Sequence, residues 1–329
     1  MAYTATSDVA GFIPKYYSKL FLERLQPGPK MLQFCEMKPL PQNSGTVAYF
    51  PRMVVDSTVV SAYKLAEGTV ITPDKIDDAQ VSATIEQFGR SAGITDLTEM
   101  TAINGVVEEA VRALGDQANN IIDLRIIEAC YGVSASAGSD APTGATGALS
   151  CIAFNTVAGA EGGAMSAYGT YTGTTEFRMK ASTVRYSVGK LMDANVKPFD
   201  DGFYALVVKS NTAMRLQADS EWQTAYQYTD AENLRKGVAG TYAGAKVVID
   251  NNICTSANGS AGATLYYSLL LGRGALGATQ LDGGVKSYFV AGGASKSDPI
   301  NQFVLIGWKA NFVPKLLNVK CGRIIVTAD

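Results

Sequence analysis

Along residues 97–131 apolar side chains recur every three or four positions. Ile103, Val107, Ala110, Leu114, Ala118 and Ile121 fall on one stripe of a helix. Asp96-Leu97-Thr98-Glu99 opens it with a cap residue followed three positions later by a carboxylate. At 1.5 Å per residue such a helix spans about 50 Å, more than a compact domain needs, so it reads as a spine. Gly105 and Gly115 each cost up to about 1 kcal/mol relative to alanine and mark places for a bend or break.

Upstream the period changes to two. Residues 46–55 read as a strand, and 79–88 as another, with Val81, Ala83 and Ile85 alternating against Ser82, Thr84 and Glu86. The two make a long hairpin whose tip, about 56–78, carries Glu67-Gly68, Pro73-Asp74 and Asp77-Asp78. A two-stranded excursion of that length is marginal in water, so it docks either on another molecule or on its own domain. Before it, residues 1–45 mix aromatics with Pro14, Pro27, Gly28, Pro29, Pro39 and Pro41, and 16–25 can form a short helix. Such an arm has too little apolar surface to fold alone and must lie along the body or along a neighbour.

Residues 132–175 are rich in Gly, Ala, Ser and Thr and poor in large apolar groups, which suits a surface insertion or a flexible linker. Beyond them a helix is expected over 176–192, a strand over 203–209, and two short helices capped near Ser210 and Ser220. Strands follow at 245–250, 265–271, 288–291, 303–309 and 323–327. Helices and strands alternate without the rhythm of a doubly wound parallel sheet, so the fold class is α+β. With 329 residues, one large domain or two fused lobes is the prior.

Composition narrows what this architecture does. Charged residues make up 18% of the chain, below the usual level of about 25%, and hydrophobic residues reach 47%. Extensive subunit contact explains that, as does a slightly apolar ordinary domain. Net charge is −2 with scattered basic residues, which argues against a protein built to grip phosphates. The five cysteines are dispersed without a Cys-x-x-Cys pair and read as reduced thiols. The start, Met1-Ala2-Tyr3-Thr4, has neither a basic leader nor an apolar stretch, and no span approaches a membrane helix.

Candidate chemistry is sparse. The absence of histidine removes the commonest general base, triad member and zinc ligand. Glu108-Glu109, Asp77-Asp78 and Asp200-Asp201 are sequence neighbours that point apart into solvent rather than facing across a substrate. Gly272-Arg273-Gly274-Ala275-Leu276-Gly277 fits a dinucleotide fingerprint after an apolar run, but the residues that follow break before a helix forms, so a turn closing a strand is expected. Ser61 with Lys64, and Ser187 with Lys190, match S-x-x-K without its companion motifs. No catalytic, cofactor-binding or metal site is assigned, and an enzyme is not expected.

An arm, a long hairpin, a spine helix, an α/β lobe and a closing strand, in that order, resemble the capsid fold of tailed bacteriophages known as the Hong Kong 97 type. Three segments bring the likeness nearest to the N-four-type phage capsid family. They are Phe88-Gly89-Arg90 through Thr95-Asp96; Arg112-Ala113-Leu114-Gly115-Asp116-Gln117-Ala118; and Gly307-Trp308-Lys309 with Lys315-Leu316-Leu317-Asn318. The resemblance implies an arm over 1–45, an extended hairpin (E-loop) over 46–92, and the spine of a peripheral domain over 93–131. It further implies an insertion over 132–175, a mainly axial domain over 176–300 and closing peripheral strands over 301–329. Its implied role is a major capsid protein, assembled in host cytoplasm into a virion shell of pentamers and hexamers around double-stranded DNA without sequence-specific contact. Implied partners are copies of itself and scaffolding and portal proteins; a decoration protein is left open, and Lys64 lies where some members crosslink. The alternatives are an encapsulin-type nanocompartment shell and a nucleotide-dependent enzyme using the Gly272 to Gly277 turn.

Overall fold

The computed structural model describes residues 19–21, 23, 29–41, 43–54, 67, 77–102, 105–132, 149–153, 160–161, 178–229, 240–257, 263–290 and 302–328. Most of the expected arm before residue 29, the hairpin tip and most of the 132–175 insertion lie outside the described residues.

The elements run β1 (Cys35–Met37), β2 (Val47–Val54), β3 (Asp77–Thr84), β4 (Glu86–Thr95), α1 (Asp96–Thr101), α2 (Val106–Tyr131), β5 (Ser150–Ala153) and β6 (Ala160–Glu161). They continue with α3 (Ala181–Asp193), β7 (Tyr204–Val208), α4 (Ser210–Gln217), α5 (Ser220–Thr229), β8 (Thr241–Tyr242), β9 (Ala245–Ile249) and β10 (Thr255–Ser256). β11 (Leu265–Leu271), β12 (Leu276–Val290), β13 (Phe303–Leu316) and β14 (Gly322–Ala328) complete them, with 3₁₀ turns at Leu32–Phe34 and Val319–Cys321. One sheet has four strands in the order β1-β12-β13-β4; a second has eight, ordered β6-β5-β14-β11-β7-β9-β8 with β10 also on β11; β2 and β3 pair alone. The class is α+β, as the segment pattern indicates.

The eight-stranded sheet is buried on both faces, which is why its central strands read as nearly unbroken apolar runs. Leu265, Tyr267, Leu269 and Leu271 of β11 join Val207, Ile324 and Val326 on one face, beneath Ile122, Ile126, Ile127, Cys130 and Tyr131 of α2. The intervening Leu270 joins Leu206, Val208 and Ile325 on the other, beneath Val184, Val188 and Leu191 of α3, Leu216 of α4 and Trp222 of α5. A period of two thus sorts one strand between two cores. The first half of α2 serves a third core, where Val107, Val111, Leu114 and Ala118 meet Ile94 of β4 and Ile306, Trp308 and Ala310 of β13. One helix therefore ties both sheets together.

The Tyr131 hydroxyl donates to the Tyr267 carbonyl across that joint, and the two rings meet edge to face with centroids 6.4 Å apart. Tyr131→Phe is expected to lower stability by about 1 kcal/mol, the usual contribution of one buried hydrogen bond, measurable by urea unfolding. An unchanged midpoint would show the carbonyl to be satisfied elsewhere.

Two expectations are revised. The single helix over 97–131 is two: Ala102 turns extended at ψ 134° after α1, and Gly105 caps α2, so the break falls at the first of the two glycines singled out. The strand over 79–88 divides at Ile85, because β3 pairs with β2 while β4 turns away to pair with β13 from Glu86↔Phe312 to Thr95↔Phe303. The last strands divide between the sheets, β13 in the four-stranded one and β14 in the centre of the eight-stranded one, because the turn at Val319–Cys321 redirects the chain. β12 lies beside β13 in a long antiparallel ladder that fixes it to the four-stranded sheet. The leading segment docks on its own body as well: β1 pairs with β12, Met31 and Phe34 enter the core with Ile126, and Phe21 enters the core with Val107.

Candidate assembly surfaces

Two surface features stand out among the described residues. The first is the hairpin. β2 and β3 pair in unbroken register from Val47↔Thr84 to Val54↔Asp77, and their root is anchored by Ala48, Phe50 and Ala83 against Leu40, Val313 and Leu317. Lys38 Nζ donates to the Tyr49 carbonyl at 2.6 Å and stands 5.7 Å above the Phe50 ring. Past Ile85, Arg125 of α2 pairs with both Glu86 and Glu128 and lies 4.9 Å over the Phe88 ring. These contacts fix where the hairpin leaves the body, beside an open cleft of about 820 Å³ lined by Val81, Ala83, Arg125, Glu128, Val313 and Leu317.

The second feature is the outer face of the four-stranded sheet. Alternate residues of β13 point away from α2, and Phe303 and Leu305 are 46% and 48% exposed; on β12 the matching Tyr288 and Val290 are 52% and 58% exposed. Register places Val290 beside Leu305 and Tyr288 beside Gly307, with Gly93 and Ser91 of β4 beyond. Glycine keeps the centre low: a Cβ on Gly307 would lie 3.2 Å from the Arg90 carbonyl, and one on Gly89 2.7 Å from that of Trp308. The result is a shallow groove of about 350 Å³ walled by Tyr288, Val290 and Leu305. Isolated exposed apolar residues need no explanation, but a contiguous set on one sheet face marks an interaction surface. Sequence reading missed it because 303–306, four apolar residues in a row, gives no sign of which side is covered.

Among the described residues the sequence motifs with chemical potential are not assembled into a site. Gly272 to Gly274 form the turn between β11 and β12, and the chain continues into a strand. Ser187 is buried and donates to the Thr183 carbonyl at 2.8 Å, while Lys190 on the same helix lies 5.5 Å over the Tyr186 ring. Ser61 and Lys64 lie outside the described residues. Glu109 pairs with Arg112 at 3.5 Å, Asp200 with Arg273, and Asp201 with Lys246 at 3.3 Å, all at the surface. Cys35, Cys130 and Cys254 are free thiols; burial pushes Cys35 up to about 12 and Cys254 up to about 11, so neither of these two supplies a thiolate nucleophile near neutrality. Among the described residues no group of three metal-ligating side chains converges, and no helix is long and apolar enough to cross a membrane.

No protein-family model matches the sequence, and no curated protein matches it. Solved structures do match in fold. The capsid of Ralstonia phage GP4 is 14% identical, with 92% of this chain and 91% of that chain covered at a TM-score of 0.63. The cyanophage Pam1 capsid is 14% identical, with 93% and 92% covered at 0.63. The acidic stable capsid of Helicobacter pylori bacteriophage KHP30 is 13% identical, with 92% of each covered at 0.61. The chain has the fold of phage capsid subunits, over nearly its whole length and nearly the whole of theirs.

Proposed function

We propose that this chain is the major capsid protein of a tailed bacteriophage, a subunit that assembles with its own copies into the icosahedral head around double-stranded DNA. The fold likeness to phage capsids, which covers about nine-tenths of this chain and of theirs, carries the reading. Two local observations support it. The β2–β3 hairpin is a two-stranded excursion of a kind that is marginal alone and gains stability on a neighbour, as an E-loop does. The apolar face of Tyr288, Val290, Phe303 and Leu305 supplies a surface on which a second copy loses water-exposed area, at roughly 25 cal/mol for each Å² buried. Heterologous contacts of this kind close into rings, and small gains per subunit accumulate over a shell.

In this reading the four-stranded sheet with α2 forms the peripheral lobe and the eight-stranded sheet with α3, α4 and α5 the axial lobe. Scaffolding and portal proteins act during assembly, and DNA is enclosed by a weakly anionic surface rather than bound. The test is co-expression with a scaffolding protein from the same gene neighbourhood, followed by negative-stain electron microscopy. Closed shells, capsomers or tubes are expected. A strictly monomeric product at high concentration with scaffold present defeats the reading.

A further inference from the structure

Helix α1 buries none of its residues in its own chain. Every side chain from Asp96 to Thr101 lies at the surface, and Leu97 and Met100 are 67% and 81% exposed. Three positions apart, these two share one face of the helix. Asp96 and Glu99 share the neighbouring face, and the helix carries no basic residue. Local bonds hold its shape: the Thr95 hydroxyl accepts from Thr98 N–H at 3.4 Å, and the Thr101 hydroxyl donates to the Leu97 carbonyl at 2.7 Å. A helix shorter than about 12 residues is marginal alone in water, so packing has to stabilise it. An apolar ridge beside an acidic one is what α1 offers for that packing.

The outer face of the four-stranded sheet is its counterpart. The apolar end of that face is the shallow groove walled by Tyr288, Val290 and Leu305 over the bare backbone of Gly307. The other end is basic, because the β12–β13 register sets Lys286 directly opposite Lys309, and both are exposed. Like charges directly opposite in an antiparallel pair are destabilising, and an acid laid over them relieves the repulsion. From Leu305 to Lys309 the strand runs about 13 Å at 3.3 Å per residue, and α1 is about 9 Å long at 1.5 Å per residue. One such helix with its side chains therefore reaches both the groove and the lysines. Within one chain the two surfaces do not meet: α1 is tied to the end of the sheet, where Asp96 N–H donates to the Gln302 carbonyl at 3.0 Å, yet Leu97 and Met100 stay exposed.

We propose that α1 of one copy seats in this groove of a second copy, with Leu97 and Met100 against Tyr288, Val290 and Leu305, and with Glu99 and Asp96 toward Lys309 and Lys286. The inference rests on the shell reading and names which part of a neighbour covers the apolar face. Helix and groove are different surfaces, so the contact is heterologous: each copy gives its helix to one neighbour and receives the helix of another, as a ring or shell requires.

The experiment places the photocrosslinker p-benzoylphenylalanine at Met100, which lies in none of the cores. These copies are co-assembled with isotope-labelled wild-type copies, irradiated, and mapped by peptide mass spectrometry. Adducts that join the two isotopic populations, on peptides containing 286–290 or 303–309 of the labelled copy, are expected. Adducts confined to one population, or adducts on the hairpin of the other copy, overturn the proposal while leaving the shell reading intact. A charge swap gives a second readout. Glu99→Lys and Lys309→Glu are each expected to raise the concentration needed for assembly by up to about fivefold, the scale of one exposed ion pair, and together to restore it. A double variant no better than either single one overturns the pairing. Should wild-type chain with scaffold fail to assemble, the shell reading falls, and the photocrosslink is then read in concentrated soluble chain. The same adduct there upholds the contact, and its absence overturns it.

Discussion

Leu305→Lys is expected to abolish shell formation while leaving the subunit folded. Leu305 stands 48% exposed in mid-strand on the side of β13 opposite α2, so the substitution removes no contact from the three cores and introduces no buried charge. Surface changes of this sort fall within about 0.5 kcal/mol, which for a chain of this size moves the melting midpoint by a degree or two. In a shell the same lysine would sit beneath a neighbouring copy. Burying its ammonium there without a partner costs several kcal/mol, repeated at each contact of the lattice. Circular dichroism should report a near-native melt and electron microscopy no shells. A variant that assembles normally would show this face to be solvent-exposed in the particle, and the surface would need another occupant. Lys309→Ala, on the same face, is the control expected to assemble.

How far the sequence led to this surface can be traced residue by residue. The spine was legible because Val107, Leu114 and Ala118 repeat at the helical period, and the break at Gly105 was legible from its residue type. The hairpin was legible from the alternation of Val81 and Ala83 with Ser82 and Thr84. Its end was not, because Ile85 continues the apolar beat of β3 although the chain there changes sheets; only the partner strand reveals that. The outer face of β13 was hidden for the same reason, since Phe303, Val304, Leu305 and Ile306 are all apolar and only α2 distinguishes inside from outside.

Gly272→Ala is expected to lower stability by about 1–3 kcal/mol, through overpacking rather than loss of a ligand. The first glycine of the apparent nucleotide fingerprint sits where both sheets meet. Its N–H donates to the Cys321 carbonyl at 2.8 Å, and Arg273 N–H donates to that of Lys197 at 3.0 Å. A Cβ there would lie 2.4 Å from Val196 Cγ1, 3.2 Å from the Cys321 carbonyl and 3.3 Å from the Lys197 carbonyl. Val196 is itself buried and cannot yield freely. The second glycine has a different reason: Gly274 adopts φ +75° in open space, so Gly274→Ala meets backbone strain alone and should cost about 1 kcal/mol. At the third, a Cβ on Gly277 would come within 2.9 Å of Leu317 Cδ1, a side-chain contact inside the β12 ladder. Turn, seam and ladder thus each require glycine for a separate structural reason, and no helix N-terminus follows to hold a phosphate. Urea unfolding should rank Gly272→Ala below Gly274→Ala. Neither NAD nor ATP should shift the wild-type midpoint, whereas a true ligand at a hundred times its dissociation constant adds about 2.7 kcal/mol. A nucleotide-dependent gain lost in Gly274→Ala would reverse this reading and restore the enzyme alternative.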